Sequence, residues 1–249
     1  MSKRYDSIGI KQVIRYEWME KTASMLLAGM DEKSIRSEFN EYLMHYRCGG
    51  SEDQRSKNTC KFVVANLMKT WVSPEPELLG LRDSALEQLR KYPSESLAIH
   101  WAMICAAYPF WYNVSLQVGR LLNLQDQITL HQITNRLKEQ YGDRQTISRY
   151  ARYVIRSLVE WGILKDSECK GCYVKANQLN VHDDEIVVLL VESVLYAIPE
   201  NKGCFKMITS SPALFPFQLS MISVDYISNK SNRINVITYG LDEIFLQLK

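Results

Sequence analysis

No stretch of this chain is apolar for long enough to suggest a bilayer span. The two most apolar runs, residues 97–112 and 186–198, are short, and they are broken by His100 and Pro109 in one and by Glu192 in the other. The chain also lacks a Gly-x-x-x-x-Gly-Lys-Ser/Thr loop, a Gly-x-Gly-x-x-Gly turn and a His-Glu-x-x-His pair, so the usual signatures of phosphate-cradling and zinc-hydrolase chemistry are missing. Its 4 histidines, His45, His100, His131 and His182, are too scattered to argue a Ser/His/Asp arrangement. Nor does one sign of charge dominate. With 30 Lys and Arg against 28 Asp and Glu the formal net charge is +2, and whole-chain electrostatics do not announce a nucleic-acid binder. The first residues, Met-Ser-Lys-Arg-Tyr, lead into no apolar signal core. The expectation is a reducing, cytoplasmic setting in which the 6 cysteines are free thiols.

What is present is enough for a folded protein. A chain of 249 residues with 46% hydrophobic content can bury a sizeable core as one large domain or two smaller ones. Three regions are expected: a helical N-terminal part over residues 1–92, a central unit over 93–181, and a C-terminal part over 182–249. The N-terminal part should hold helices over residues 12–27, from Asp31 onward, over 58–72 and over 78–91, with a polar loop at 48–57 that carries paired glycines. Residues 94–122 should form two helices or one kinked helix, because Pro109 cannot continue the hydrogen-bond pattern. The C-terminal part should open with a helix at Asp183 or Asp184. A hairpin of strands 222–227 and 234–239 should follow, with Lys230 and Arg233 at its tip. A helix, a Pro-rich turn and a hairpin would make a second, degenerate copy of the central unit, although no sequence repeat links them.

The central unit carries most of the signal. Thr129 is placed to cap a helix reaching Tyr141, and Gly142 makes a turn into a second helix over 146–161. Gly162 ends that helix, and a hairpin through Ser167, Gly171, Tyr173 and Val174 closes the unit. Helix, turn, helix and hairpin together read as a winged helix-turn-helix, and the chain as mainly α with small β-hairpins. The second helix is amphipathic. Ile147, Ala151, Val154, Ile155, Leu158 and Val159 form its apolar stripe, while Arg149, Arg152 and Arg156 share the opposite face. From Arg144 to Arg156 there are four arginines and no acid, and residues 136–175 hold nine Lys/Arg against five Asp/Glu. Residues 183–249 instead hold five against eight. Positive charge concentrated on one unit is what a phosphate-facing surface requires.

Arg149 and Arg152, near the helix start, are expected to reach base edges. Arg144, Arg156 and Lys138 suit phosphates, Lys170 on the wing is a further expected nucleic-acid contact, and Tyr153, with Tyr150, suits phosphates or packing. The plainer alternative is a solvated or protein-facing helix.

Other motifs have cheaper readings. Cys169-Lys-Gly-Cys172 has zinc-knuckle spacing but no second pair, so a hairpin turn with Gly171 at positive φ is preferred. Asp183-Asp184-Glu185 suits a helix N-terminus better than a metal. Tyr108, Phe110, Trp111 and Tyr112 suit a core better than a base-stacking platform. Arg55, Lys57, Lys61 and Lys69 form a second basic segment, read as solvated. No metal or other cofactor is called for, and nothing asks for an enzyme.

The run Thr146-Ile-Ser-Arg-Tyr-Ala-Arg-Tyr-Val-Ile-Arg-Ser-Leu-Val-Glu-Trp-Gly-Ile-Leu164, preceded by an all-helical half, resembles the BrxA family of small helical DNA-binding proteins of BREX phage-defence systems. The likeness spans residues 94–165. Phe215-Pro-Phe217 and the second hairpin have no counterpart in it. The resemblance implies non-catalytic binding of double-stranded DNA within a multi-protein bacterial defence system. The alternatives are a winged-helix adaptor that holds other subunits of a complex, and a transcriptional regulator.

Overall fold

The computed structural model describes residues 4–45, 57–239 and 243–249. The loop expected at 48–57, with Arg55 and Cys48, lies outside the described residues apart from Lys57, whose side chain is likewise not described. Helices dominate. The N-terminal part contributes α1 (Tyr16–Leu27), α2 (Glu32–His45), α3 (Lys57–Leu67), a π-helical turn (Met68–Val72) and α4 (Leu79–Lys91). The wide turn after α3 takes the chain to the Ser73–Pro76 stop expected from the sequence.

At the centre are α5 (Ser96–Ala107) and α6 (Pro109–Leu122), separated at Tyr108 as Pro109 demands. Eleven of the twelve residues of α5 are buried. The helix packs against α4, α6 and α9 (Asp184–Ala197), whose residues from Ile186 onward are also buried. Helices that are apolar all round belong inside a core, and these two run through the middle of it. Tyr108, Phe110, Trp111 and Tyr112 are buried among them and are no stacking platform. One hydrophobic cluster draws on all three regions.

The central unit is α6, β1 (Gln127–Thr129), α7 (Leu130–Tyr141), α8 (Gln145–Glu160), β2 (Leu164–Asp166) and β3 (Cys172–Lys175). Its sheet runs β1–β3–β2, antiparallel throughout, with Ile128 opposite Tyr173 and Lys165 opposite Val174. The chain then passes β4 (Leu179–Val181) into α9, β5 (Lys202–Cys204), α10 (Phe205–Thr209), a 3-10 turn (Pro212–Leu214), β6 (Phe217–Leu219), α11 (Val224–Lys230), β7 (Ile234–Tyr239) and β8 (Glu243–Leu248). With the 3-10 turn and β6 set aside as an insertion between α10 and α11, the order here too is helix, strand, two helices and hairpin, and the sheet runs β5–β8–β7. The element order of the central unit therefore recurs in a shrunken form, with 5 residues in α10 and 7 in α11.

The expected second hairpin is misplaced by one element. Residues 224–230 form a helix because the Ser223 hydroxyl caps it, accepting from the amide of Tyr226, and only Ile227 is buried. The strand that pairs with β7 is β8. Lys230 and Arg233 are consequently not at a hairpin tip. Lys230 bonds Glu185 at 2.7 Å, and Arg233 bonds the buried Glu192 at 2.9 Å and Ser84 at 3.0 Å.

Two of the contacts between the central unit and the C-terminal part run backbone to backbone. β4 pairs in parallel with β6, Leu179 beside Phe217 and Val181 beside Leu219. Gly119 on α6 lies so close to the 3-10 turn that a Cβ there would sit 1.8 Å from the Pro212 carbonyl oxygen. Only a residue without a side chain fits. Among the described residues no helix is long and apolar enough to cross a membrane.

Candidate nucleic-acid interface

Local chemistry places α7 and α8 firmly. Thr129 caps α7 in a full capping box: its hydroxyl accepts from the Gln132 amide at 3.2 Å, and the Gln132 side chain accepts from the Thr129 amide at 2.9 Å. Gly142 and Gly162 follow α7 and α8 with positive φ. The buried face of α8 is Ile147, Ala151, Val154, Ile155, Ser157 and Leu158, with Val159 half-buried. A backbone clamp fixes this face to the N-terminal part: the Ile14 amide donates to Ser157 Oγ and Trp161 Nε1 donates to the Ile14 carbonyl, each at 2.9 Å. Trp161 also packs edge-on against Trp101 and at a tilt against Trp111.

The opposite face carries the cations. Arg144 precedes the first turn of α8, and Arg144, Arg149 and Arg152 are all exposed. Arg149 lies over the ring of Tyr150 at 5.2 Å, and Tyr150 stacks on Tyr153 at 6.2 Å with an interplanar angle of 25°. Both tyrosines are half-buried, so Tyr153 flanks the arginine face and packs as well. Lys170 is exposed at the hairpin turn, where Gly171 takes φ +81°. Among the described residues no carboxylate pairs with Arg144, Arg149, Arg152 or Lys170.

Two of the expected site residues are engaged within the fold. Arg156 Nη1 donates to both oxygens of Asp166 on β2, and Lys138 Nζ lies 2.7 Å from the exposed Asp143. An acid-free run along α8 says nothing about an acid brought in from a neighbouring strand.

Lys138 and Lys170 meet across a cleft of about 430 Å³ between α7, the first turn of α8 and the hairpin turn. Thr134, Asn135, Ser148 and His131 line it too, and Asn135 and His131 hydrogen-bond at 3.0 Å. Sequence reasoning missed this polar face of α7. Its signal is His131, Asn135 and Lys138 at i, i+4 and i+7.

The remaining motifs are absorbed by structure. Asp183 caps α9 through the Glu185 amide, Asp184 accepts from Ser220, and Glu185 is held by Lys91 and Lys230. Those two lysines drop the Glu185 carboxyl to about 2, with Lys230 the larger cause. Lys61 is exposed, and Lys69 pairs with Glu75 at 2.8 Å. Among the described residues no three His, Cys, Asp or Glu side chains gather as metal ligands.

No family model, curated protein or solved structure matches this chain.

Proposed function

We propose that α6 through β3 is a winged helix-turn-helix and that the protein binds double-stranded DNA through it as a non-catalytic component. What carries this reading is a set of exposed cations with no carboxylate partner among the described residues: Arg144 just before α8, Arg149 and Arg152 on it, and Lys170 on the hairpin turn. In a winged helix the second helix of the pair lies in the major groove and the hairpin reaches the adjacent backbone. Arg149 and Arg152 then face base edges, and Arg144, Lys138 and Lys170 face phosphates. Tyr153 supports the arginine face from its flank. Arg156 joins only by exchanging Asp166 for a phosphate. The C-terminal repeat, net acidic and with short helices, is on this reading a degenerate winged helix that braces the first. A place in a BREX-like defence assembly goes with the resemblance of the α8 sequence.

The test is fluorescence anisotropy of a labelled duplex across a salt series. Binding at low salt that falls steeply as salt rises supports the reading. No binding at low salt, together with co-purification of another subunit, overturns it in favour of an adaptor.

A further inference from the structure

The hairpin turn holds two thiols that DNA binding does not use. Cys169 is exposed and Cys172, the first residue of β3, is half-buried; both are free. The Cys172 amide donates to the Cys169 carbonyl at 3.0 Å, with Lys170 and Gly171 as the central turn residues. A β-turn closed in this way keeps its end Cα atoms within about 7 Å. A disulfide spans Cα separations of roughly 4.4–6.8 Å, so the turn already sets the two residues at bridging range. The Ser167 amide also donates to the Cys172 carbonyl at 3.0 Å, and Cys172 pairs with Thr129 across the sheet. Cys172 is thus pinned while Cys169 faces solvent. That is the arrangement of an attackable thiol next to a fixed resolving thiol.

We propose that Cys169 and Cys172 form a reversible dithiol that closes to a disulfide across the turn by exchange with a small-molecule disulfide. The proposal does not rest on the nucleic-acid reading. Cys169 loses its proton and its thiolate attacks one sulfur of the small disulfide, expelling one small thiolate and leaving a mixed disulfide. Cys172, deprotonated in turn, attacks Cys169 Sγ and expels the second. The protein loses two electrons and two protons, and the small disulfide gains them as two thiols. The other described thiols are less suited: Cys60 and Cys105 are buried, and burial pushes the Cys105 thiol well up. Cys204 is half-buried in a different part of the fold.

The experiment uses the full chain carrying Cys48→Ser, incubated natively with oxidised glutathione, alkylated, digested with trypsin and mapped by mass spectrometry. Cleavage after Lys170 separates the two cysteines, so a bridge links two peptides. The expected result is that linked pair, with a net loss of two hydrogens and reversal by excess reduced glutathione. Cys172→Ser should instead hold one glutathione on Cys169. A glutathione adduct that persists on Cys169 beside a free Cys172, a bridge to another cysteine, or two thiols that stay alkylatable without adduct would each overturn the proposal.

Discussion

Arg156 Nη1 on α8 reaches both carboxylate oxygens of Asp166 on β2, at 2.6 and 2.8 Å. The pair ties the end of the arginine face to the sheet and takes one cation out of the row that the sequence lays along α8. Both side chains are partly exposed, so the tie itself contributes only about 0–1 kcal/mol to stability. Its larger effect is on what Arg156 is free to touch.

Asp166→Asn should therefore release a cation without unfolding anything. If the unit binds DNA, the variant should bind a duplex more tightly, with the plot of log affinity against log salt steeper by about 0.9, the weight of one further phosphate neutralised. Anisotropy titrations at several salt concentrations read this directly. An unchanged slope would mean that Arg156 faces no phosphate.

Removing Arg149 and Arg152 together should weaken binding instead. The double alanine variant should lose at least about tenfold in affinity at low salt, since each base-edge arginine is worth about 1–3 kcal/mol, and its salt slope should change little because Arg144, Lys138 and Lys170 still face the phosphates. Because both side chains are exposed, the melting temperature should stay put. Lys61→Ala should match the wild type. Equal binding by the double variant would remove α8 from the interface.

How much of this is legible in the sequence depends on how local each signal is. The Thr129 cap, the glycines after α7 and α8 and the apolar stripe of α8 are set by neighbours within one or two turns, and the sequence displays them. The Arg156–Asp166 pair spans a helix end, a turn and a strand, and no helical periodicity reports it. Residues 222–227 mislead for a related reason. Ile222, Val224 and Ile227 favour a strand by composition, and the single hydroxyl of Ser223 tips the local choice to a helix. The recurring element order shows in the sequence only through a Pro-rich turn and a hairpin, because it is set by how the strands pair across the sheet and not by any residue pattern shared between the two halves.

Gly119→Ala should be costly although it is the mildest of substitutions. The added methyl meets a backbone carbonyl of the Pro212 turn, which cannot swing aside as a side chain would. A loss of about 1–3 kcal/mol is expected, the usual cost of overpacking, and a urea melt measures it. Stability equal to the wild type would mean that the turn shifts freely.

Arg233→Met should strip the buried Glu192 of its cation. Breaking such a pair from one side costs about 3–5 kcal/mol, and Arg233→Met with Glu192→Gln should recover much of it. Burial already pushes the Glu192 carboxyl up against the pull of Arg233. A carboxyl with a raised folded value is destabilising once pH climbs above its unfolded value, so the single variant should be weakest at neutral pH and regain stability on mild acidification. Chemical melts across pH test the sign.

Glu185 has the reverse sign. Its carboxyl, held at about 2 by Lys230 and then Lys91, contributes stability above the unfolded value of about 4.3 and loses it as pH falls toward 2. Glu185→Gln should cost about 1 kcal/mol at neutral pH, since its lysine partners are half exposed, and should flatten the acid limb of the stability curve between about pH 5 and 2. An acid limb identical to the wild type would show that this carboxylate does not govern it.

The pairing of β4 with β6 also bears on how the chain is made. When the ribosome has finished β3, every strand of the first sheet has been made. Yet Gly119 still has no Pro212 against it, and β4, once made, has no β6 beside it. The cover over α6 arrives only when the Pro212 turn has left the exit tunnel, and the partner of β4 only when Leu219 has, so the first repeat stays partly undressed while the second is being translated, and a truncation after Val181 would leave it that way permanently.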